Sequence, residues 1–354
     1  MIDVSPKKVD LVFEGGGVKG IGLAGAIETL EEHRYVPQNV AGTSAGAISA
    51  GLLAAGYSAA ELKEIIMGLD YRQFQDEAWE DKVPVIDRSL SMLLDLGLYE
   101  GDRFLEWIRE LLEAKGVRTF AQLVHPDFED HPRFRSRLQV IASDVTTHEL
   151  LVLPRDAHKL GVEPDELDVA LAIRMSMSIP VFFEPVRWQD PRSGEEHLIV
   201  DGGMLSNFPV WLFDCDAGEE PEWPTFGLLL VEPEPSVQVG ERLPQERNAT
   251  RGPRAVVDYV KALAQTMMEA HDRLYVEQAT YARTIPIPTL GVGTTDFDLA
   301  PHRAQALYDS GRRAAERFLE TWDFDAYLAE FRSGKRHSRR AALVTQLEEA
   351  AAEV

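Results

Sequence analysis

The 354-residue chain contains a single cysteine, Cys215, which excludes an internal disulfide and a thiolate metal cluster. It is also short of positive charge. Lysine and arginine number 36 against 59 aspartates and glutamates, for a net charge of −23. Such a field disfavours nucleic acid as a partner and disfavours non-specific adhesion to anionic membranes. Long hydrophobic runs are missing as well. The best candidate for a membrane span, residues 41–60, is rich in Ala, Gly and Ser and only weakly apolar. It reads instead as a helix packed tightly against a sheet. At the N-terminus, Lys7 and Lys8 are followed by the short run 9–13, too brief for the apolar region of a signal peptide. The expectation is a soluble, cytoplasmic protein, with room for peripheral contact with a membrane.

No internal repeats are present, and apolar content is ordinary for a globular protein. Residues 8–13 read as a buried strand, followed by a glycine loop and a helix over 20–33. A short second strand ends at 39–41, and helices follow over 45–55 and 59–69. Residues 74–99 are irregular, and 101–115 has an amphipathic helical pattern. A strand over 137–142 takes 149–153 as its hairpin partner; a helix over 165–175 is stopped by Pro180. Further strands fall at 197–200 and 225–231. A loop rich in Pro and charge covers 232–253, with long helices over 253–282 and 301–320. Strands alternating with helices predict a mostly parallel α/β sheet. The division expected is a main domain over 8–330 and a basic, helical tail over 331–354.

Two glycine-flanked stretches stand one helix and one short strand apart. The first, Glu14-Gly15-Gly16-Gly17-Val18-Lys19-Gly20, has the spacing of a phosphate loop but not its partners. A dinucleotide fingerprint needs an acidic residue after the second strand, where Pro37-Gln38-Asn39-Val40 stands. A Walker A loop needs Lys directly after the last glycine, and Lys19 precedes Gly20. What survives is a run of backbone N–H groups at a helix N-terminus, which favours negative charge. The second stretch, Gly42-Thr43-Ser44-Ala45-Gly46, matches the Gly-x-Ser-x-Gly elbow that presents a nucleophilic serine. Its plain alternative is a helix N-cap by Ser44 or Thr43.

A serine nucleophile needs a base. An elbow at residue 44 leaves room for only two strands before it, unlike the α/β-hydrolases. None of the nine histidines sits in a setting that reads as a triad partner; the plain reading for each is a surface or loop residue, with His197 noted for its closeness to Asp201. Asp201 stands out instead. It follows the apolar run Leu198-Ile199-Val200 and precedes Gly202-Gly203, so it emerges at the carboxyl end of a strand, where α/β sheets bind ligands. A partly desolvated carboxylate can accept a serine proton directly. The alternative is a turn aspartate.

Taken together, Gly15 to Gly20, Gly42 to Gly46 and Asp201-Gly202-Gly203 resemble the patatin-like phospholipase family. So do Ser143-Asp144-Val145-Thr146-Thr147, Arg174-Met175-Ser176-Met177-Ser178-Ile179-Pro180, Phe183-Glu184-Pro185-Val186 and Asn207-Phe208-Pro209. The similarity covers residues 8–320. It implies a three-layer α/β fold with a mostly parallel central sheet flanked by helices. It also implies a Ser–Asp dyad: Ser44 as nucleophile, Asp201 as base, and the amides of Gly15, Gly16 and Gly17 as oxyanion hole. Gly20, Gly42, Gly46, Gly202 and Gly203 support these motifs. The chain departs from the family at Lys19, where many members have Arg, and at Glu14, where Asp is common. Lysine keeps the charge but not the planar fork.

The reaction implied is release of fatty acid from a phospholipid or other acyl ester through an acyl-enzyme, of phospholipase A or lysophospholipase type. No metal and no cofactor is expected, because the acidic residues form no ordered ligand cluster. The alternative is a regulated membrane-degrading effector or assembly subunit, of the kind used in antiphage defence, whose dyad waits for a partner or small signal. Residues 83–99 are candidates for an apolar lid, and Phe182, Phe183 and Trp188 for the acyl pocket; core packing is the plainer role for both. Arg332, Lys335, Arg336, Arg339 and Arg340 would each add about 1 kcal/mol of attraction to anionic lipid, against the plainer reading of a solvated tail. The partners expected are thus an acyl-ester lipid, transiently a membrane surface, and either a second copy or a regulatory protein.

Overall fold

An apolar run buried on both faces is the signature of a central parallel strand, and residues 9–13, apolar except for Asp10, are buried in this way. The computed structural model describes residues 5–69, 101–131, 133–180, 182–215, 220–232, 278–294, 296 and 298–332. The lid candidate 83–99, nearly all of the 232–253 loop, most of the helix expected over 253–282 and the tail beyond 332 lie outside them. In chain order the elements are β1 (Lys7–Phe13), α1 (Ile21–Glu32), β2 (Tyr35–Thr43), α2 (Ala45–Ala54), α3 (Ala59–Met67) and α4 (Asp102–Ala114). Then come β3 (Leu138–Asp144), β4 (Glu149–Leu153), α5 (Val169–Ser176), β5 (Val186–Gln189) and β6 (Glu196–Asp201). The chain continues through β7 (Thr225–Val231), α6 (Gln278–Ala282), β8 (Thr284–Pro288), α7 (Pro301–Thr321) and α8 (Phe324–Tyr327).

The eight strands form one sheet. β1 lies between β2 and β7, parallel to both; β2 pairs in parallel with β3, and β7 with β8. The antiparallel members, β4, β5 and β6, extend from β3. The sheet is therefore mixed, with a parallel centre. Alternation along the strands sorts two cores. Leu11, Phe13, Val40, Val140 and Ala142 face the larger one, beneath α1, α2 and α5. Val12, Ala41 and Ile141 face a smaller one, closed by Phe208, Val210, Leu212 and Phe213. The stretch 45–54 is indeed a buried helix: every residue of α2 except Leu53 is buried.

One detail of register decides where the site lies. β4 pairs with residues 140–144 of β3, so it occupies one edge of that strand. The other edge is shared. β2 takes its first part, up to Thr43 opposite Ile141, and β6 takes the rest, from Asp201 opposite Ala142. β2 runs parallel to β3 and β6 runs against it. Their carboxyl ends therefore meet head-on at adjacent rungs.

Two strands were not expected. β8 reads Thr-Ile-Pro-Ile-Pro, and proline ordinarily ends a strand. Here β8 pairs only with β7 among the described residues, so the missing N–H groups of Pro286 and Pro288 cost no ladder bond. β5 is a short half-exposed partner of β6. The helix expected over 165–175 begins later, at Val169, because the Asp168 side chain accepts the Leu171 N–H at 2.9 Å and caps it.

α1 and α7 cross in contact, and glycines make the crossing. A Cβ on Gly25 would lie 2.0 Å from the Tyr308 carbonyl oxygen, and one on Gly311 would lie 1.9 Å from that of Gly22. Arg312 of α7 reaches back to Glu28 and to Glu32 on α1, the latter at 2.7 Å. Gly25→Ala should therefore force the helices apart and destabilise the fold by about 1–3 kcal/mol, read as a lower urea midpoint. An unchanged midpoint would contradict this packing.

Candidate active site

Ser44 occupies the turn between β2 and α2, with φ 53° and ψ −129°. A non-glycine residue in such a region costs on the order of 1–3 kcal/mol, and surrounding contacts must hold it there. The flanking glycines are steric necessities. A Cβ on Gly42 would meet the Gly46 carbonyl oxygen at 2.3 Å, and one on Gly46 would meet that of Phe13 at 2.5 Å. The Ser44 side chain caps no N–H of α2, and the Thr43 hydroxyl donates to the Ser206 carbonyl at 3.1 Å. Its hydroxyl rests 3.7 Å from the Met177 sulfur, its N–H donates to Ser176 Oγ at 2.8 Å, and the residue is fully buried.

Asp201 arrives from the opposite strand, also fully buried. Its N–H donates to the Ser178 carbonyl at 2.9 Å. Oδ1 accepts the Gly203 N–H at 2.8 Å, so it does make the local turn bond; Oδ2 has no hydrogen-bond partner among the described residues. Burial pushes the carboxyl up to about 7, against the opposing pull of the Ser44 hydroxyl and the Gly203 amide. Gly202 presses on β3, where a Cβ would lie 2.2 Å from the Ile141 carbonyl oxygen. That contact explains why the aspartate is followed by glycine.

The glycine loop touches the elbow directly. A Cβ on Gly15 would lie 2.9 Å from Ser44 Cβ. The Gly15 N–H is committed to the Asn207 carbonyl at 3.2 Å. The Gly16 and Gly17 amides make no hydrogen bond to any described residue. Gly17 has φ 55°, and a Cβ there would collide with the Thr294 carbonyl oxygen at 2.1 Å. Gly20 is different: its nearest neighbour would be Ala45 Cβ at 3.6 Å, an ordinary contact. Glu14 braces the loop from below. One carboxylate oxygen accepts the Leu230 N–H and the other the Asn207 amide at 3.3 Å, while the same amide donates to the Gly15 carbonyl at 3.1 Å. Lys19 is buried, its Nζ 3.7 Å from a Glu232 carboxylate oxygen.

Sequence reasoning missed the work of several residues here. Ser176, Met177 and Ser178 belong to a motif noted without any role, and their contacts with Ser44 and Asp201 are purely tertiary. His197 is a correction. It is no surface residue but is buried, with Nδ1 2.6 Å from Asp144 Oδ2. Burial works to raise the Asp144 carboxyl, yet the His197 ring and the Thr146 and Thr147 amides outweigh it and hold it below the usual range. His125 is buried too; its ring accepts the Asp127 N–H. The charged neighbours Glu195 and Glu196 hid His197, whereas strand alternation placed it inward. Phe183 is buried against Phe104 and lies under the Arg174 guanidinium. Trp188 ties its hairpin to the Leu160 carbonyl at 2.8 Å. Among the described residues no group of three or more metal-ligating side chains occurs, and no helix is long and apolar enough to cross a membrane.

A family model described as patatin-like phospholipase matches residues 11–214. The chain is 38% identical over 317 residues to the uncharacterized protein YqhO of Bacillus subtilis, covering 89% of this chain and 99% of that one. It is 26% identical over 214 residues to the probable lipid hydrolase 463L of Invertebrate iridescent virus 6, covering 56% of this chain and 61% of that one. The crystal structure of VipD from Legionella pneumophila matches with a TM-score of 0.52 at 19% identity, covering 89% of this chain and 67% of that one. This last likeness concerns the fold.

The raised carboxyl makes a stability prediction. A free aspartate titrates near 4, and Asp201 in the fold near 7. Its contribution is thus fully present below about pH 4 and is lost as pH rises through 7. Asp201→Asn keeps an acceptor for the Gly203 amide without the buried charge. The variant's stability advantage in urea should grow between about pH 4 and 7 and then level off. An advantage independent of pH would contradict the burial of an ionising group.

Proposed function

The chain belongs to the patatin-like phospholipase family, and on that premise we propose that it is a serine lipid acyl hydrolase with Ser44 as nucleophile and Asp201 as base. The state of Asp201 carries the reading. A fully buried carboxyl with one oxygen unbonded, raised to about 7 beside a strained serine, is a proton acceptor matched to neutral pH. Lipid acyl hydrolysis is the reading that the family and the 463L relative support; phospholipase A or lysophospholipase type is the finer proposal.

The steps follow from placement. Ser44 Oγ forms a bond to the ester carbonyl carbon as its proton passes to Asp201 Oδ2. Negative charge develops on the carbonyl oxygen, where the uncommitted Gly16 and Gly17 amides, at the head of a helical turn, are the proposed donors. Gly15, its own N–H spent on Asn207, shapes the loop instead. Collapse breaks the ester C–O bond, and the leaving alkoxide takes the proton from Asp201. Water then repeats the sequence on the acyl-enzyme, giving up its proton to the same carboxylate and freeing the fatty acid and Ser44. The proposed unit is residues 8–330, with 331–354 appended. Contact with substrate is proposed at a membrane or micelle surface from the aqueous side.

A second reading draws on one feature. Ser44 and Asp201 are both inaccessible, and the hydroxyl rests on Met177. This supports a closed resting state that opens on a lipid surface or a regulatory partner. Both readings share the dyad, so one assay series tests it. Fatty-acid release from phospholipid and from short p-nitrophenyl esters should fall at least about 1,000-fold in Ser44→Ala; full activity in that variant would remove the assignment. For the wild type, kcat/KM should rise about tenfold per pH unit up to about 7 and then flatten. A profile already flat from pH 5 would exclude a base with the raised carboxyl of Asp201.

A further inference from the structure

The last ladder residue of β2 is Thr43, opposite Ile141, so the Ser44 N–H falls beyond the sheet. It is buried, and a buried N–H must find an acceptor within the protein. It finds the hydroxyl of Ser176, 132 residues away in sequence, at 2.8 Å. Both residues are fully buried. The bond fixes the N–H of the residue whose backbone is strained, at the point where strain would otherwise relax.

Ser176 is delivered by a rigid element. α5 is capped at its start by Asp168 and seats Ile173 in the gap left by Gly51 of α2, where a Cβ would lie 2.5 Å from Ile173 Cδ1. Ser176 is its final residue. The next residue, Met177, puts its sulfur against the Ser44 hydroxyl. The one after, Ser178, accepts the Asp201 N–H on its carbonyl. Arg174 holds Ser178 in turn, with Nη1 donating to Ser178 Oγ at 2.6 Å. One helix end therefore grips the backbone of both dyad members.

We propose that Ser176 is a positioning residue that locks the Ser44 elbow and, with the neighbouring grip of Ser178 on Asp201, sets the separation between nucleophile and base. The proposal rests on the reading of Ser44 as nucleophile. Ser176 touches no reacting atom. Its second consequence is exclusion: with its N–H spent on Ser176, Ser44 contributes no amide to the oxyanion hole.

The test compares wild type, Ser176→Ala, Ser176→Thr and Ser44→Ala by thermal melting, ester turnover and labelling with a fluorophosphonate probe. Ser176→Ala removes one buried oxygen and should fold. Its kcat is expected to fall by about 100-fold, the scale of an ångström-sized misplacement. KM should stay within about twofold, and labelling of Ser44 should slow in proportion. Ser176→Thr restores the hydroxyl and should recover most of the rate. Wild-type kcat in a folded Ser176→Ala protein, or a loss confined to KM, would overturn the proposal while an inactive Ser44→Ala left the dyad standing. Absence of labelling at Ser44 in the wild type would instead strike the dyad itself.

Discussion

The head-on meeting of β2 and β6 along one edge of β3 is the constraint on which the site depends. A strand edge has a fixed spacing of rungs, and two strands that share it from opposite directions must stop where they meet. β2 stops at Thr43 and β6 at Asp201, on adjacent rungs of β3. Ser44 and Asp201 are brought together by that geometry before any side chain chooses a rotamer. The chain then turns away from the collision on both sides. After Ser44 it turns sharply into α2, and after Asp201 it turns through Gly202, pressed on the Ile141 carbonyl. The glycines of both motifs are what such crowding requires.

Two costs accumulate at this junction, and the rest of the fold offsets them. One is the left-handed backbone at Ser44. The other is a carboxyl held out of water with one oxygen unbonded. Neither would persist in a loose loop. α2 is buried almost throughout, so the elbow cannot unwind into solvent, and the end of α5 holds the amides of both residues. On the other flank, Glu14 and Asn207 tie the glycine loop to β7 and to the segment after Asp201. Asp10 gives a useful contrast. Burial raises it too, to about 7, but it bonds the Asn39 amide, and Trp223 and Arg283 lie against it. None of these partners is a serine, so a raised carboxyl alone does not mark a candidate site; a strained serine beside it does.

Much of this was legible in the sequence, for identifiable reasons. β1, β4 and β7 are short, largely apolar runs with clear boundaries, and these three strands lie where expected. The three glycine-bearing motifs were legible because at Gly17, Gly42, Gly46 and Gly202 a Cβ would strike neighbouring backbone, which leaves glycine no substitute, Gly20 being the exception. β8 was hidden by Pro286 and Pro288, which are harmless only beside a single partner strand. His197 was hidden by acidic neighbours that face outward while it faces in. The two bonds between Gly15 and Asn207 and the grip of Ser176 on Ser44 join residues 192 and 132 positions apart. No local pattern reports such pairings. Sequence therefore points to the proposed reacting groups through local motifs but not to the groups that hold them, because holding is a property of the tertiary contact.

The central claim is that acyl transfer passes through Ser44, placed by this strand collision. It is tested most directly by trapping the intermediate. The protein is mixed with a p-nitrophenyl ester, quenched in acid during the burst of p-nitrophenol, digested, and mapped by mass spectrometry. The account predicts one added acyl mass, on the peptide bearing Ser44. An acyl mass on another residue, or continued ester turnover with no acyl-protein at any time, would contradict it.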